Sequence, residues 1–377
     1  MKNLIKLLLG NFWVKNVYKT DFKKNVLIVY IVSPFKEKNS SNYHQNKWQV
    51  IEITKLLKQL SYNIDIVDYR SPYYFNIRKK YDLLIDILPL KKPIYKGMLK
   101  SNCIKIAYMT GSNPRFANNA ELDRLESLSL RRGAKLIPRR QSLYLDDCVK
   151  LFNSMFVIGN NVTASTYNEF NMSKVFLIPN TINGIKPIID FDHKRSNYFL
   201  YFGSAGCVHK GLDLLLEVFS EIDISCKLFV CGSFKSEEDF VKEYDNELFH
   251  CSNVEAVGFI DPNGETFRKL ASICTYSILP SCSEGQAGSV LTCMEAGLIP
   301  LCSKECGFDE GDVIILEKST KDSISKVIKE YSNMSNEWIV NNSLKYQNIA
   351  SQKYSQAMFV KSINDALIST IELERGL

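Results

Sequence analysis

Residues 279–300 read LPSCSEGQAGSVLTCMEAGLIP and place the carboxylate of Glu284 and two glycines between a predicted strand and a predicted helix. Glycine allows a tight turn and a close approach of the backbone to a ligand. A helix that begins here presents N–H groups and a positive dipole end to an anion. Glu284 precedes that helix and can accept hydrogen bonds from hydroxyl groups, although alone it could be a helix cap. The segment therefore predicts a site for a ligand with both an anion and hydroxyl groups.

A second glycine segment precedes it in the chain, at residues 203–211, which read GSAGCVHKG. It also follows a predicted strand and leads into a helix, and Lys210 adds a full positive charge beside the helix start. Its spacing is neither that of a P-loop nor GxGxxG. Alone, it could be an ordinary strand-to-helix turn with an exposed lysine. Together, the two segments supply an anion site and a hydroxyl acceptor, which are the features that a nucleotide sugar requires.

Around these segments, short β-rich runs alternate with helical patterns, and the alternation restarts after residue 196. This order is typical of parallel α/β sheets. Residues 180–196 lack clear periodicity and contain Pro187, so the linker between two domains is predicted there. The strands predicted in the first half are 25–32, 63–68, 82–86, 103–109, 155–158 and 175–178. Those in the second half are 198–202, 227–231, 254–257, 275–279, 299–302 and 313–316.

Size and composition agree with two globular domains. The chain has 377 residues, of which 45% are hydrophobic and 23% charged, and it contains no apolar run of about 18 residues, so no transmembrane helix is expected. The first residues lack a small-residue cleavage site, which favours a retained segment of a cytosolic protein. The eleven cysteines lie mostly in apolar runs and are expected to be reduced; the spacing of Cys302 and Cys306 is a poor zinc signal.

Charge is distributed unevenly along the chain. Residues 1–193 hold 30 Lys and Arg against 15 Asp and Glu, and residues 194–377 hold the remaining 17 against 26. A basic half can face nucleic acid, a membrane surface or a phosphorylated substrate. Residues 1–24, basic with an apolar and aromatic stretch, could lie on anionic lipid or pack on the first domain. A dense basic patch could contact lipid or a phosphate, or it could be a solvated surface. It comprises Arg131, Arg132, Lys135, Arg139 and Arg140.

In order and spacing, residues 198–320 resemble the retaining glycosyltransferases of the GT-B fold, specifically glycosyltransferase family 4 (glycosyl transferases group 1). The matching features are a glycine loop ending in Lys-Gly, strands that end in glycine, and a Pro-Ser…Glu-Gly segment that begins an E-x7-E motif. In this chain they are His209-Lys210-Gly211, Cys231-Gly232, Gly258, Pro280-Ser281 with Glu284-Gly285, and then Gly297 and Pro300. In the first half the resemblance rests on strand order and residues 110–113.

The resemblance implies an α/β, GT-B architecture of two Rossmann-like domains with parallel sheets facing each other across a cleft. Residues 1–190 would bind the acceptor, 191–350 the nucleotide sugar, and 351–377 would form a helix packing back on the first domain. Lys210 would neutralise the donor diphosphate and Glu284 would bind hydroxyls of the transferred sugar. The implied donor-binding residues are Gly203, Ser204, His209, Gly211, Gly232, Phe259, Gly285, Gln286, Ala287, Gly288, Ser289, Thr292 and Glu295.

The sequence departs from the family pattern at three positions. The second Glu of E-x7-E, which grips the ribose, falls on Thr292; Glu295, on the same helix face three residues later, could replace it. The Arg usual in the first glycine loop is Ser204, and the His frequent after the fourth strand of the first domain is Thr110. Residues expected on the acceptor side are His44, Thr110, Gly111 and Asn113.

The predicted activity is transfer of a sugar from a nucleoside-diphosphate sugar to the hydroxyl of an acceptor glycan or lipid-linked sugar, with retention. No cofactor, bound metal or nucleic acid is expected. Asp190 and Asp192 have D-x-D spacing, but they lie in the predicted linker. Two other classes stay open: an epimerase of the same fold, which needs acid and base groups in the cleft, and a nucleic-acid-binding protein, which leaves the glycine loops in the acidic half unexplained.

Overall fold

The computed structural model describes residues 12–36, 45–71, 79–87, 97–144, 147–185, 187 and 191–374. The first domain is built on a seven-stranded sheet in the order β1-β3-β2-β4-β5-β6-β7. Its strands pair in parallel except β1, which runs antiparallel to β3. The strands are β1 (Trp13–Val14), β2 (Lys24–Tyr30), β3 (Tyr62–Asp68), β4 (Tyr81–Asp86), β5 (Leu99–Met109), β6 (Ser154–Ile158) and β7 (Val175–Ile178).

The second domain is built on a six-stranded parallel sheet in the order β10-β9-β8-β11-β12-β13. Strands β9 and β10 follow β8 toward one edge of the sheet, and β12 and β13 follow β11 toward the other edge. The strand order therefore reverses between the central strands β8 and β11. The strands are β8 (Arg195–Phe202), β9 (Lys227–Cys231), β10 (Val254–Ala256), β11 (Cys274–Leu279), β12 (Ile299–Ser303) and β13 (Ile314–Leu316).

Helices cover the faces of both sheets, as the hydrophobic strands require. None of the helices in the described ranges is both long and apolar enough to cross a lipid bilayer. In chain order the α-helices are α1 (Gln45–Gln59), α2 (Pro114–Arg132), α3 (Asn161–Ser165), α4 (Leu212–Glu221), α5 (Glu238–Glu243), α6 (Asp245–Phe249), α7 (Glu265–Ile273), α8 (Gly288–Glu295), α9 (Lys321–Tyr331), α10 (Asn336–Lys353) and α11 (Gln356–Leu373).

Two helices connect the domains. Helix α2 follows a strand of the first sheet, yet its buried Leu128 belongs to the hydrophobic core of the second domain, together with Leu212 and Phe240. Helix α11 comes after the second sheet and packs Phe359 and Leu367 into the core of the first. Each domain therefore buries an apolar helix face supplied by the other half of the sequence.

The predicted α/β, GT-B architecture is confirmed, and each of the twelve predicted strands overlaps an observed strand. Strand β1 was not predicted. Its Trp13 packs against the first sheet, and the neighbouring Phe12 carbonyl accepts a 2.8 Å hydrogen bond from the Asp68 N–H. From residue 12 onward, the segment considered for a lipid surface thus packs on the first domain; residues 1–11 lie outside the described residues.

Candidate active site

The two glycine segments meet at one edge of the second sheet. The segment 203–211 follows β8, the segment 280–288 follows β11, and these strands are hydrogen-bonded neighbours. In open parallel sheets, ligands bind outside the carboxyl ends of the strands at the point where the strand order reverses. The sequence therefore places Lys210 and Glu284 at the position in the fold where a ligand is expected.

Lys210 and Glu284 form a buried ion pair. The Lys210 Nζ lies 2.5 Å from Glu284 Oε1, and only 6% and 13% of the two side chains are exposed. Ser281 Oγ donates a second hydrogen bond, of 2.8 Å, to the same carboxylate oxygen. Burial raises the pKa of Glu284, but Lys210 and the neighbouring His209 and Arg140 outweigh it, so the pKa falls to about 2. Glu284 is therefore ionised at neutral pH and accepts hydrogen bonds without donating a proton.

His209 lies beside this pair and is nearly fully buried. Its Nε2 is 2.6 Å from the Ser283 carbonyl oxygen, which can only accept, so Nε2 carries the proton. Its Nδ1 has no partner among the described residues. Burial lowers the pKa of His209, and so does Lys210, whereas Glu284 opposes the shift. The ring is therefore neutral at pH 7 and presents an acceptor nitrogen inside the site.

The amides of the first glycine loop are taken by a carboxylate of the protein itself. Glu237 Oε1 accepts hydrogen bonds from the N–H of Gly206 at 2.6 Å and of Cys207 at 3.2 Å. Gly206 has a φ of 94°, a conformation that glycine adopts without strain. The anion that these amides bind is Glu237 of the protein itself, which the sequence pattern did not identify. The side chains of His209 and Lys210 are what this segment offers a ligand.

The carbonyls of the second segment are bound by the first domain. Thr163 Oγ1 donates a 2.7 Å hydrogen bond to the Gly285 carbonyl, and Ser112 Oγ donates to that of Glu284. A Cβ built on Gly285 would lie 2.7 Å from the Thr110 carbonyl oxygen and 3.0 Å from the Gly111 Cα. Glycine is therefore required here, and residues 110 and 111, which were expected on the acceptor side, lie directly against the segment 280–288.

Other predicted residues in this region have structural partners. Gln286 accepts a 2.7 Å hydrogen bond from the Asn180 N–H and donates one of 2.7 Å to the Gly307 carbonyl. The Ala287 N–H donates to the Cys306 carbonyl at 2.9 Å, whereas no acceptor is found among the described residues for the N–H groups of Gly288 and Ser289. These two amides at the start of α8 remain available to an anion.

Asn113 is a helix cap within the first domain. Its side-chain oxygen accepts a 2.9 Å hydrogen bond from the Arg115 N–H, and its amide nitrogen donates to the Thr166 carbonyl and to Glu169. The side chain is 2% exposed, so its polar atoms are used locally rather than presented to an acceptor. His44, also expected on the acceptor side, lies outside the described residues.

Thr292 and Glu295 both contact the linker between the domains. Asn183 Nδ2 donates a 2.8 Å hydrogen bond to Thr292 Oγ1, and the Asn183 N–H donates one of 3.0 Å to Glu295 Oε2. Burial raises the pKa of Glu295 to about 7, against the opposing effect of the linker amides at residues 183–185. The carboxylate suggested for the ribose is thus already bound to the linker backbone.

At the other end of the edge, Gly203 and Gly232 pack together, and a Cβ on Gly232 would lie 2.7 Å from the Gly203 carbonyl oxygen. Phe259, just beyond β10, is 78% exposed, so its ring is free to stack on a planar group. Ser204 is also exposed. Across the described ranges, no three or more His, Cys, Asp or Glu side chains are grouped to hold a metal ion; Asp190 lies outside those ranges.

Most of the basic patch is bound between the domains rather than lying on a free surface. Three of its arginines, in or just after α2 of the first domain, form ion pairs with acidic residues of the second. Some of the excess basic residues of the first half therefore pair with acidic residues of the second half of the same molecule. These three arginines are not available to lipid. The pairs are Arg131 with Asp213 and Glu217, Arg132 with Glu243 and Glu247, and Arg139 with Asp239.

Sequence reasoning also missed Arg124, because nothing in a helical run identifies one arginine as a bridge. Its Nη2 donates a 2.8 Å hydrogen bond to the Pro280 carbonyl, and its Nη1 would lie 3.0 Å from a Cβ on Gly211. A residue of the first domain thus contacts both glycine segments of the second.

Comparison with known proteins agrees with this geometry. The family model described as glycosyl transferases group 1 matches residues 196–333, which contain both glycine segments. A search of curated proteins finds no match to the chain.

Solved glycosyltransferase structures share the fold across both domains. A TarM mutant from S. aureus in complex with fondaparinux, alpha-GlcNAc-glycerol and UDP aligns with a TM-score of 0.53 and 15% identity, over 90% of this chain and 61% of that one. This chain thus spans about three fifths of the TarM length. A sucrose-phosphate synthase from Thermosynechococcus elongatus aligns with a TM-score of 0.63 and 12% identity, over 93% and 100%.

The lipopolysaccharide outer core galactosyltransferase WaaB aligns with a TM-score of 0.56 and 13% identity, over 92% of this chain and 99% of that one. At these identities the structures show the fold. The group 1 match, at residues 196–333, lies over the candidate site. Both domains together therefore have the fold of the GT-B glycosyltransferases.

Proposed function

We propose that the protein transfers a sugar from a nucleoside-diphosphate sugar to an acceptor hydroxyl, with retention of configuration and without a bound metal. The observation that carries the proposal is the buried pair of Lys210 and Glu284 at the point where the strand order of the second sheet reverses. One side chain suits the diphosphate and the other the hydroxyl groups, so the pair fits both parts of such a donor.

Lys210 is the group that stabilises the departing diphosphate. An ammonium group has three donors, of which one is used by Glu284, so the others can reach phosphate oxygens. The N–H groups of Gly288 and Ser289 add donors at a positive helix end. Negative charge grows on the leaving group in the transition state, and fixed donors at that place lower the barrier without reorganisation. This arrangement performs the task for which other transferases use a metal ion.

Glu284 binds hydroxyl groups of the transferred sugar. Since its pKa is about 2, it is an anion at neutral pH and accepts charge-assisted hydrogen bonds. The same property makes it unsuitable as a general acid, which needs a pKa near the working pH. Burial keeps the pKa of His209 low, so this residue is also unsuited to proton transfer as a cation. The site therefore fits group transfer better than the epimerase reaction.

The nucleoside would lie along the edge formed by Gly203, Gly232 and Phe259, where the exposed ring can stack on the base. The acceptor would approach from the first domain, past Thr110 and Gly111. TarM and the Anabaena protein HepE have been solved with UDP bound, and WaaB and WaaG act in lipopolysaccharide synthesis. By analogy, we propose a surface glycan or lipid-linked sugar as acceptor and a cytoplasmic location, at the membrane surface if residues 1–11 bind lipid.

The test is incubation with a panel of UDP-, GDP- and dTDP-sugars, with and without EDTA, followed by detection of free nucleotide and of isomerised sugar. The proposal expects free nucleotide with at least one donor, undiminished by EDTA, and a product whose anomeric configuration by NMR equals that of the donor. Isomerised sugar without nucleotide release would indicate the epimerase. Activity lost in EDTA and restored by Mg²⁺ or Mn²⁺ would refute metal independence.

A further inference from the structure

Arg140 differs from the other arginines of the basic patch. Arg131, Arg132 and Arg139 each pair with a carboxylate of the second domain, whereas among the described residues no carboxylate lies within ion-pair distance of the Arg140 guanidinium. Its side chain is exposed. A guanidinium at a domain boundary without a counter-ion is available to an anionic ligand.

The position of Arg140 is fixed from both sides. Its backbone N–H donates to both carboxylate oxygens of buried Glu121, at 2.9 and 3.0 Å. Its stem lies on the first glycine loop, because a Cβ built on Gly206 would be 2.5 Å from Arg140 Cγ and 2.9 Å from Cδ. Glycine at 206 thus leaves room for the arginine to cross the loop beside His209.

The guanidinium is close enough to act on the candidate active site. Arg140 contributes to lowering the pKa of Glu284 and also that of His209, which places positive potential at the pair of Lys210 and Glu284. That pair has no net charge by itself, and the diphosphate of a nucleotide sugar carries more than one negative charge. Since Glu237 occupies the loop amides, a further cation has to come from a side chain.

We propose that Arg140 binds the diphosphate of the donor, as a second cation supplied to the C-terminal domain by the N-terminal domain. The inference rests on the proposed function and deepens it. A guanidinium is always charged and can grip two phosphate oxygens at once. A donor held by Lys210 from one domain and by Arg140 from the other therefore contacts both domains.

The experiment compares Arg140→Met and Arg140→Lys with wild type by calorimetric titration of UDP, GDP and dTDP and of the corresponding nucleosides. Methionine keeps an apolar stem on Gly206 and removes the charge. The matched control is Lys135→Ala, which removes an exposed charge from the same segment. For the nucleoside diphosphate that wild type binds, we expect Arg140→Met to lower the affinity by about ten-fold to a hundred-fold. The affinity of Arg140→Lys should lie between those of Arg140→Met and wild type, and that of Lys135→Ala should equal that of wild type.

Nucleoside affinity should not change in any variant, and the salt dependence of diphosphate binding should decrease in Arg140→Met. Equal diphosphate affinity in Arg140→Met and wild type overturns the inference and leaves the proposed function intact. An equal loss for nucleoside and diphosphate also overturns it, because a structural role would act on both. If wild type binds no nucleoside diphosphate, the proposed function itself falls.

Discussion

The two glycine segments at the ends of β8 and β11 both join a strand to a helix but use their backbone groups differently. In the first, the amides of Gly206 and Cys207 bind Glu237, so the groups left for a ligand are the side chains of His209 and Lys210. In the second, the first domain binds the carbonyls of Glu284 and Gly285, and the amides at the start of α8 stay available. A glycine-rich turn between a strand and a helix thus predicts accessible backbone groups, but not which partner binds them.

The largest effect is expected from the side chains of the pair. Lys210→Ala and Glu284→Ala should each lower kcat/KM by about ten-fold to a hundred-fold, because each removes a charge-assisted contact of about 1.5–3 kcal/mol. Lys318→Ala, which removes an exposed lysine of the same domain, serves as the control. Near-normal activity in both variants, with unchanged thermal unfolding, would refute the assignment of this pair to the donor.

Glu237 tests the first loop directly. Glu237→Ala should lower the free energy of unfolding by about 1–3 kcal/mol, because the buried N–H groups of Gly206 and Cys207 lose their acceptor. Glu237→Gln, which keeps one acceptor oxygen, should cost less. Denaturant titration measures both. If the alanine variant is as stable as wild type, the loop amides do not depend on this carboxylate, and the two segments are more alike than described.

The linker contact of Glu295 predicts a pH dependence. Its pKa is raised to about 7 in the folded protein, so the folded state binds a proton more tightly than the unfolded chain. The stabilisation is complete below the unfolded pKa and is lost as pH rises through 7. Between about pH 6 and pH 8, the free energy of unfolding of wild type should therefore fall by on the order of 1 kcal/mol, whereas that of Glu295→Gln should not show this fall. Denaturant titration at each pH measures this. If the free energies of unfolding of the two proteins change in parallel with pH, the raised pKa of Glu295 is contradicted.

The ribose contact remains a prediction with the smallest expected effect. If Glu295 has replaced the second Glu of the family motif, Glu295→Ala should weaken nucleotide binding several-fold, about 1 kcal/mol, whereas Thr292→Ala does little. Titration of the nucleoside diphosphate against both variants measures this. A larger loss in Thr292→Ala would show that the hydroxyl holds the ribose, and that Glu295 serves the linker alone.

The sequence predicted the sheets because strand signals are local: short apolar runs alternate with helices throughout, and each of the twelve strands was located. Strand β1 was not predicted, because a strand of two residues is too short to show a periodic pattern. At the site, Lys210 and Glu284 were found because they sit beside glycines at strand ends. Glu237 and Arg124 were not identified, and Arg140 was assigned only to the basic patch, since their positions depend on contacts between segments about 30 to 160 residues apart, which no local pattern encodes.

Charge asymmetry was seen in the sequence and interpreted too narrowly. An excess of basic residues in one half predicts an acidic partner, and the structure shows that part of this partner is the other half of the same chain. Arg131 and Arg132 reach Asp213, Glu217, Glu243 and Glu247. An acidic second half was the available signal, because complementary charges on two domains of one chain can satisfy each other.

We propose that the donor diphosphate binds at the ends of β8 and β11, through side chains of the first glycine segment and amides of the second. A crystal structure with a bound nucleoside diphosphate tests this most directly. We expect phosphate oxygens within hydrogen-bond distance of Lys210 Nζ and of the N–H groups of Gly288 or Ser289, with Glu237 still bound to Gly206. A nucleotide bound elsewhere, or a phosphate that has displaced Glu237 from the loop amides and does not contact Lys210, would contradict it.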